Sequence, residues 1–285
     1  MAEKPTTAAG YSAQFLAAVR STCLYVMTKL GDLTDDVVVV GGLVPSLLVD
    51  ERALPAGEQA HPGTVDLDLG LRVAVLDTGR YRSLTERLRR AGFRPDLNEQ
   101  GKPTRQRWRL ENVGDVTVDF LIQPSRPGDQ GGRLRDIEPD FAAVIAPGLH
   151  LAFQDRELVP LSGVTISGEK AERDVWVCGP GAYIVLKALA FDLRGENKDA
   201  YDLYYVLRNY GVAVEDVARH LRPLLGEAST KEAIEIIRRD FLDHDGVGPR
   251  RVAEFLIGGP DDEIQSDVVG FLRALLRACR LGDNG

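Results

Sequence analysis

The chain has 285 residues, of which 44% are hydrophobic and 27% are charged, and its formal net charge is −8 at pH 7. This composition is that of an ordinary globular protein with room for one large domain or two modest ones. No run of about eighteen apolar residues is present, which excludes a transmembrane helix, and the first residues do not resemble a signal peptide. The cysteines Cys23, Cys178 and Cys279 are widely spaced, so we expect buried thiols in a cytoplasmic protein.

The first predicted elements are a helix, a strand and a glycine turn. Apolar residues recur at three- and four-residue spacing from residue 11 to residue 30, and Gly31 ends this predicted helix. Four valines then lead into Gly41 and Gly42, and Pro45 fits the first turn of a short helix after them. A glycine turn between a strand and a helix N-terminus offers backbone donors to a phosphate group, although many such glycines only form turns.

Two later strands are predicted to carry carboxylates. The sequence Gly-Thr-Val-Asp-Leu-Asp-Leu contains Asp66 and Asp68, which the alternation of a strand places on one face. Asp119 lies in the middle of a second apolar run, Val-Thr-Val-Asp-Phe-Leu-Ile. Like charges this close need a positive group between them, which indicates a divalent-cation site; the alternative is a strand with its polar face in water. His61 precedes the pair in a polar loop, and we expect it to be exposed to solvent.

A basic segment lies between the two acidic strands. Residues 80 to 109 contain ten lysines and arginines against three acids, and they predict a helix over residues 80–94 and a strand over residues 105–110. The segment carries +7 in a chain of −8. This asymmetry suggests a site for a polyanion such as RNA; the alternative is a solvated surface. The candidate RNA-binding residues are Arg87, Arg89, Arg90, Arg105 and Arg107.

The rest of the chain predicts a loop, a few strands and then only helices. Residues 123 to 140 are rich in Pro, Gly and Arg, which favours a loop. Strand-like runs follow at residues 149–153, 164–166 and 175–178. Helical patterns extend from residue 179 to residue 282, so we expect two domains, residues 1–178 with the sheet and residues 179–285 with helices only.

Charged side chains mark the first two of those helices. Lys187 and Arg194 are seven residues apart and share one face of the first helix. In the second helix, Asn197 can cap the N-terminus, and Asp199 and Asp202 lie on one side of the first turns. Each of these residues alone is an ordinary choice for a protein surface.

Together, these residues resemble the nucleotidyltransferase superfamily that includes DNA polymerase beta. The pattern of that superfamily is a glycine turn, an Asp-x-Asp pair on the next strand and a third Asp on a later strand. Its positions here are Gly41, Gly42, Asp66, Asp68 and Asp119. A later block is similar to the AbiEii/AbiGii toxin family and its MenT relatives. That block comprises Lys187, Ala190, Arg194, Lys198, Asp199 and Asp202.

The resemblance implies an α+β fold with a polymerase beta-like nucleotidyltransferase core, in which helices flank a mixed sheet, and a C-terminal helical lobe. It also implies an enzyme that moves a nucleotide from an NTP to an acceptor, releases pyrophosphate and uses a pair of Mg²⁺ ions. The implied metal ligands are Asp66, Asp68 and Asp119. The implied catalytic residues are these three with Lys187 and Asp202. The implied nucleotide-binding residues are Gly41, Gly42, Ser46, Lys187, Arg194, Lys198 and Asp199. Ser46 is included because Leu43 stands where the family commonly has a small hydroxyl residue.

Three functions fit the sequence. The resemblance implies an RNA acceptor, such as the 3′ end of tRNA, and the toxin of a toxin–antitoxin or phage-defence system with a cognate antitoxin. An enzyme with the same core that modifies a small molecule, such as an aminoglycoside, is the alternative. A binding module that keeps the fold without catalysis is the third, and the intact carboxylates argue against it.

Overall fold

The computed structural model describes residues 4–54, 58–72, 78–110 and 116–281. Within them the protein is α+β, with a mixed sheet flanked by helices, as expected. The strands are β1 (Val37–Val40), β2 (Asp66–Leu71), β3 (Phe93–Leu97), β4 (Pro103–Leu110), β5 (Thr117–Ile122), β6 (Leu134–Glu138), β7 (Phe141–Ile145), β8 (Arg156–Val164) and β9 (Lys170–Cys178). The helices are α1 (Ala13–Leu30), α2 (Val44–Leu48), α3 (Thr78–Arg90), α4 (Leu151–Gln154), α5 (Pro180–Arg194), α6 (Asn197–Asn209), α7 (Val214–Leu221), α8 (Ala228–Asp240), α9 (Val247–Ile257) and α10 (Asp262–Leu281).

The sheet has the acidic strands β2 and β5 at its centre. The described strands run in the order β3-β4-β5-β2-β1-β9-β8, and a β6–β7 hairpin joins β5 beyond its pairing with β4. Strand β2 is antiparallel to β1 and parallel to β5. All four valines of β1 are buried, which is the pattern of a strand covered on both faces.

The two faces of the sheet carry different layers. Helix α3 covers the face to which Trp108 of β4 points, because Arg89 of α3 lies 5.6 Å from the centroid of the Trp108 ring. Side chains alternate along a strand, so Arg107 points to the opposite face, where it meets Asp119. Helices α5 and α6 border that second face. One hydrophobic core cluster includes residues of the sheet, of α1 and of the C-terminal helices.

The long helices agree with the sequence pattern. Helix α1 begins after Ser12, whose side-chain oxygen accepts a hydrogen bond from the backbone N–H of Phe15, and it ends at Gly31. Helix α5 ends at Gly195, which has a φ of 64°, a conformation that favours glycine. The described chain from residue 214 to residue 281 is helical as predicted. None of the described helices combines the length and apolar character needed to cross a membrane.

Several local predictions are wrong. The run over residues 149–153 is mostly helix α4, because the turn at Gly148, with a φ of 78°, directs the chain into a helical turn. The predicted loop over residues 123–140 contains strand β6, whose charged residues conceal any apolar alternation. Strands β3 and β7 and nearly all of β8 were not predicted, and only Val164 of the predicted run over residues 164–166 belongs to a strand, because a turn begins at Thr165. Asn112 and Gly114 predict a turn over residues 112–114, which lie outside the described residues.

The expected cap of helix α6 is also wrong. Glu196 occupies the N-cap position, without a capping hydrogen bond, and Asn197 is the first helical residue. The side-chain oxygen of Asn197 instead accepts a hydrogen bond from Arg251 of α9 at 3.0 Å. A tertiary contact has therefore taken the place of the local one.

Candidate active site

Three carboxylates converge on one face of the sheet. Asp66 and Asp68 lie on the same face of β2, and the parallel register places Asp68 beside Asp119 of β5. One oxygen from each of the three side chains lies within 4.8 Å of the other two. The neighbouring Gly41 has a φ of 70°, and a Cβ at this position would stand 1.9 Å from Asp68 Oδ2. Only glycine therefore fits at position 41. We call the three carboxylates, Asp66, Asp68 and Asp119, the acid cluster.

Two of the three carboxylates have a cationic partner. Lys4 Nζ lies 2.5 Å from Asp66 Oδ2. Arg107 binds Asp119 in a bidentate pair, with its Nε 2.8 Å from Oδ1 and its Nη2 2.5 Å from Oδ2. Among the described residues, Asp68 forms no ion pair. The cluster therefore has three carboxylates and two cations, which leaves one negative charge in excess.

The pKa values of the paired and unpaired carboxyls differ. Burial favours the neutral form of Asp66, but the Lys4 ammonium, the Thr64 hydroxyl and the Arg107 guanidinium together outweigh it and lower the pKa of this carboxyl. Burial raises the pKa of Asp68 to about 7, and the negative charges of Asp66 and Asp119 act in the same direction. Strand β2 thus carries two carboxyls of opposite character: the ionised form of Asp66 is stabilised, and the ionised form of Asp68, two residues on, is destabilised.

This arrangement fits a divalent cation. Carboxylate oxygens are the ligands that Mg²⁺ prefers, and three of them converge here from two adjacent strands. A cation would also relieve the uncompensated charge on Asp68. The donor set contains no sulfur or imidazole ligand, which favours a hard cation over a transition metal.

A second cluster lies on helices α5 and α6. Lys187 Nζ lies 2.9 Å from Asp199 and 2.7 Å from Asp202. Arg194 grips Asp199 with its Nε at 2.6 Å and its Nη2 at 2.8 Å. Lys198 Nζ lies 2.7 Å and 2.9 Å from the two carboxylate oxygens of Asp202. This cation cluster has three cations and two buried carboxylates, and the half-exposed Glu196 lies 3.7 Å from Arg194 Nε.

Lys187 and the two carboxylates of the cation cluster stabilise one another despite burial, whereas burial lowers the pKa of Lys198. Burial alone would lower the pKa of Lys187, but Asp199 and Asp202 raise it above its usual value. Burial would likewise raise the pKa of Asp202, but Lys187 and Lys198 hold it well below its usual range. Both partners therefore remain charged. The buried charges of Lys187, Asp199 and Asp202 have a fixed geometry, since breaking any of their pairs leaves an unpaired buried charge.

His61 is buried, and the expectation of an exposed loop histidine is wrong. Its Nδ1 accepts a hydrogen bond from the backbone N–H of Gly63, so Nε2 carries the hydrogen and donates to Asp202 at 2.8 Å. Its ring stacks on Tyr201, and its own backbone N–H donates to the hydroxyl of Tyr205. Burial lowers the pKa of His61 to about 4, and Lys198 lowers it as well. The imidazole is thus a neutral donor that orients Asp202.

The acid cluster and the cation cluster line one cleft of about 160 Å³. Gly42 forms part of its wall, where a Cβ would stand 2.7 Å from Thr64 Oγ1 and 3.4 Å from Lys198 Nζ. The hydroxyl of Thr64 donates to Asp66 at 2.8 Å, which fixes that carboxylate. The glycine turn therefore lies against residues of both clusters, Asp68 at Gly41 and Lys198 at Gly42.

Two residues expected at the site have other contacts. Ser46 is buried, and its hydroxyl donates to the backbone carbonyl of Leu43 within the first turn of α2. It does not line the described cleft. Asp202 is fully buried, and its oxygens bind Lys187, Lys198 and His61. Its contacts are those of a residue that positions the cations.

The arginines of the basic segment are divided between the two faces of the sheet. Arg105 and Arg107 alternate onto the face of the acid cluster. Arg87, Arg89 and Arg90 belong to α3, which covers the other face. Each of these five arginines has an acidic partner. On β4, Arg105 pairs with Asp136 and Arg107 pairs with Asp119. On α3, Arg87 pairs with Asp32, Arg89 with Asp140 and Arg90 with Glu86. Much of the local positive charge is therefore matched by acids from other segments.

The structure adds residues that the sequence pattern missed. Lys4 reaches the acid cluster from an N-terminal segment that is held by a hydrogen bond from the Tyr11 hydroxyl to the carbonyl of Pro5. Tyr11 itself lines the cleft, and Lys198 lies 5.5 Å from its ring centroid. Glu196 lines the cleft as well. Nothing in the local sequence around Lys4 signals this contact, because its partner is distant in the chain.

No model of a known protein family matches the chain, and no curated protein matches it. The geometry of the cleft is therefore what bears on the function.

Proposed function

We propose that this protein is a nucleotidyltransferase that moves a nucleotide from an NTP to a hydroxyl of an RNA acceptor and releases pyrophosphate. The observation that carries the proposal is the cleft itself: three convergent carboxylates and a cluster of three cations line one space beside a turn where only glycine fits. A nucleoside triphosphate and its divalent cation require this combination of partners. The core is accordingly of the polymerase beta type.

The acid cluster would hold Mg²⁺, which supplies charge neutralisation at the phosphates when it is bound. Asp66 is ready for this role, because the Thr64 hydroxyl already orients it. Arg107 binds both oxygens of Asp119, which the strand register places beside Asp68. The carboxylates are therefore in place before any ligand arrives, which is what electrostatic preorganisation demands.

The cation cluster would bind the phosphates. Arg194 is the most accessible of its members, with a side chain that is 45% exposed, and Lys198 lies next to the glycine turn. Lys187 is buried between Asp199 and Asp202, where it keeps the cluster positive while it lines the cleft. Backbone groups of the glycine turn can approach the phosphates because no side chain is in the way.

The chemistry is a displacement at the α-phosphorus. The acceptor oxygen forms a bond to this phosphorus, the bond to the bridging oxygen of the β-phosphate breaks, and pyrophosphate leaves with the bonding electrons. The proton of the acceptor hydroxyl passes to a carboxylate of the acid cluster, for which Asp119 is the proposed base. The positive charge of Lys198 and Arg194 stabilises the leaving pyrophosphate.

An RNA acceptor, such as the 3′ end of tRNA, is supported by the arginines on the face of the acid cluster. Arg107 lines the cleft beside Asp119, and Arg105 lies two residues before it on strand β4. The role of a toxin with a cognate antitoxin, in a toxin–antitoxin or phage-defence system, rests on the resemblance of the block around Lys187. Growth arrest on expression, and its loss in Asp66→Asn, tests that role separately.

A small cationic acceptor, such as an aminoglycoside, is the second candidate. The observation that favours it is the position of Arg87, Arg89 and Arg90 across the sheet from the cleft, which reduces the positive surface available to RNA. Glu196 at the cleft adds a carboxylate that suits a cationic ligand.

The decisive experiment supplies each α-labelled NTP with Mg²⁺ and either total RNA or an aminoglycoside panel. We expect label on RNA with wild type and none with Asp66→Asn or Asp68→Asn. Label on the small compound alone would favour an enzyme that modifies a small cationic molecule over one that modifies RNA. If neither acceptor is labelled and no pyrophosphate is released, the chain is not a nucleotidyltransferase.

A further inference from the structure

Helix α6 carries a second set of side chains that belongs to a space other than the cleft. Tyr201, Tyr204, Tyr205 and Arg208 recur at spacings of three and four residues, so they share one face of the helix. With the end of α9, the start of α10 and residues 58–59, they line a groove of about 690 Å³. None of the described residues that line this groove also lines the cleft. The groove is therefore a separate space.

The groove has more acids than cations. Arg208 forms ion pairs with both Glu58 and Asp267, so one guanidinium is shared between two carboxylates. Glu263, in the first turn of α10, also lines the groove, and it has no ion-pair partner among the described residues. Three carboxylates against one cation in the described lining leave two negative charges in excess.

The rest of the lining is largely aromatic and aliphatic, with one unsatisfied hydroxyl. Leu256 and Ile257 of α9 line the groove beside the tyrosines. Tyr201 is only 4% exposed, and its hydroxyl has no hydrogen-bond partner within the described chain. Its ring stacks on His61 and on Phe255, so the edge with the hydroxyl is the part left to line the groove. A buried hydroxyl without a partner costs free energy, and a donor on a ligand would supply that partner.

The distribution of the acids distinguishes this groove from a metal site. A metal ion needs several carboxylate oxygens that converge, and in the part of the chain that the structure describes a set of three does so only in the acid cluster. In the groove the acids lie beside tyrosine and aliphatic side chains instead. This combination suits an ammonium or guanidinium group on an apolar body. The volume is within the range of about 300 to 1,000 Å³ that is usual for small-molecule sites.

We infer that the groove is a second ligand site, which binds a small organic cation. The charged group of the ligand pairs with the acids of the groove, and its apolar body lies against α9 and the tyrosines of α6. An N–H of the ligand donates to the hydroxyl of Tyr201. The site does not depend on the proposed function, because it shares no described lining residue with the cleft.

The test uses dansylcadaverine, in which a primary ammonium is joined to a flat apolar ring system whose fluorescence reports binding. Dansyl pentylamide has the same body without the charge, and cadaverine has ammonium groups without the rings. Fluorescence titration of the full chain measures the affinities of the two dansyl compounds, and displacement of dansylcadaverine measures that of cadaverine. A second titration in saturating Mg²⁺ shows whether the ammonium has entered the acid cluster.

Three variants separate the contributions of the groove. Glu263→Gln removes the unpaired carboxylate, and Glu232→Gln makes the same change at an exposed glutamate of α8 as the matched control. Tyr201→Phe removes the hydroxyl and keeps the ring against His61. The melting temperature of each variant checks that it is folded.

We expect wild type to bind dansylcadaverine about fivefold or more tighter than dansyl pentylamide, and tighter than cadaverine. Glu263→Gln should weaken dansylcadaverine binding about two- to fivefold, the loss of one exposed ion pair, and leave dansyl pentylamide unchanged. Tyr201→Phe should weaken dansylcadaverine binding about two- to tenfold, the loss of one hydrogen bond. Glu232→Gln and saturating Mg²⁺ should have no effect.

The inference is overturned if wild type does not bind dansylcadaverine, or binds the uncharged compound equally well. Unchanged binding in folded Glu263→Gln or Tyr201→Phe, or an equal loss in Glu232→Gln, also overturns it. Displacement by Mg²⁺ would place the ammonium in the cleft. If a longer peptide rich in lysine and arginine binds more tightly than dansylcadaverine and loses that affinity in Glu263→Gln, the occupant is a basic protein segment, and the small-molecule assignment is wrong. A failure of nucleotide transfer leaves these results standing, because none of the titrations contains an NTP.

Discussion

Asp66 and Asp68 occupy one face of the same strand, yet only Asp66 has a cationic partner among the described residues. Lys4 lies 2.5 Å from Asp66, whereas Asp68 faces two other carboxylates and the glycine turn. Identical substitutions at these neighbouring positions should therefore have opposite effects on the metal-free protein.

Asp68→Asn should raise the melting temperature of the metal-free protein by about 2 to 6 °C, because it removes a buried charge that is repelled by Asp66 and Asp119. Asp66→Asn should lower it by about 1 to 3 °C, because Lys4 loses its partner. Differential scanning calorimetry in a chelator measures both. The same sign for the two variants would contradict the assigned partners, and added Mg²⁺ should stabilise wild type but neither variant.

The strained carboxyl of Asp68 also predicts a pH dependence. Its pKa is about 7 in the folded protein, against 3.8 for a free aspartate side chain. Between these two pH values the folded state binds more protons at Asp68 than the unfolded state does. The contribution of Asp68 to the free energy of unfolding therefore falls as pH rises from 3.8 to about 7 and does not change further above pH 7. The melting temperature of Asp68→Asn minus that of wild type should therefore grow between about pH 4 and pH 7 and then level off. A difference that is constant over this range would show that Asp68 titrates normally.

For His61 we expect the opposite pH dependence, in which its contribution to stability increases with pH. Its pKa is about 4 when folded and 6.5 when unperturbed, so the unfolded state binds more protons in between. The stability that His61 contributes is fully present above pH 6.5 and is lost as pH falls toward about 4. His61→Phe keeps a ring against Tyr201 and removes the titration. Its melting temperature should lie below that of wild type at neutral pH, because Asp202 loses a donor, and the gap should narrow in acid. A gap independent of pH would mean that His61 does not titrate in this range.

Lys4 should compete with a divalent cation for Asp66. Lys4→Met keeps much of the side-chain volume and removes the ammonium, so it should tighten Mn²⁺ binding about two- to fivefold, the range expected for a half-exposed ion pair. Lys231→Met changes an exposed lysine on α8 and should leave Mn²⁺ affinity unaltered. Electron paramagnetic resonance of free Mn²⁺ measures both affinities. Weaker binding in Lys4→Met would mean that the ammonium supports the cation site and does not occupy it.

The two faces of the sheet can be separated by salt dependence. Arg105 and Arg109 share the face of the acid cluster, whereas Arg89 and Arg90 belong to α3 on the other face. Reversing the charge of the first pair should reduce the log–log salt slope of RNA binding by about 1.4 on single strands and about 1.8 on duplexes. Reversing the second pair should leave it unchanged. Filter binding over a range of KCl concentrations measures the slope, and equal effects of the two pairs would place the RNA elsewhere.

The sequence was most informative where a charged residue lies inside an apolar segment with the alternation of a β-strand. Asp66, Asp68 and Asp119 could be placed on strand faces because their apolar neighbours define the alternation. The partners of these residues could not be placed, because they come from distant parts of the chain. His61 meets Asp202 across 141 positions, and burial decides its protonation. Loop composition alone therefore gave the wrong environment.

The basic segment is a second case in which contacts with distant parts of the chain could not be predicted from the sequence. Its excess charge is real in the sequence, but the fold brings Asp32, Asp136 and Asp140 next to it. A local charge count has no access to such neighbours. Strands β3 and β6 were missed for a related reason, since edge strands with charged residues lack the apolar alternation that marks central ones.

The cleft draws its negative wall from the chain before residue 120 and its positive wall from the chain after residue 186. If the polypeptide were expressed as two fragments divided after Cys178, each fragment would carry one wall and neither would contain the whole cleft. The hydrophobic core that joins the sheet to the C-terminal helices would supply the affinity for their reassembly. On the proposed function, nucleotide transfer would then require both fragments at once. The protein would thereby be suited to use as a split reporter, in which catalysis signals that two fused proteins have come together.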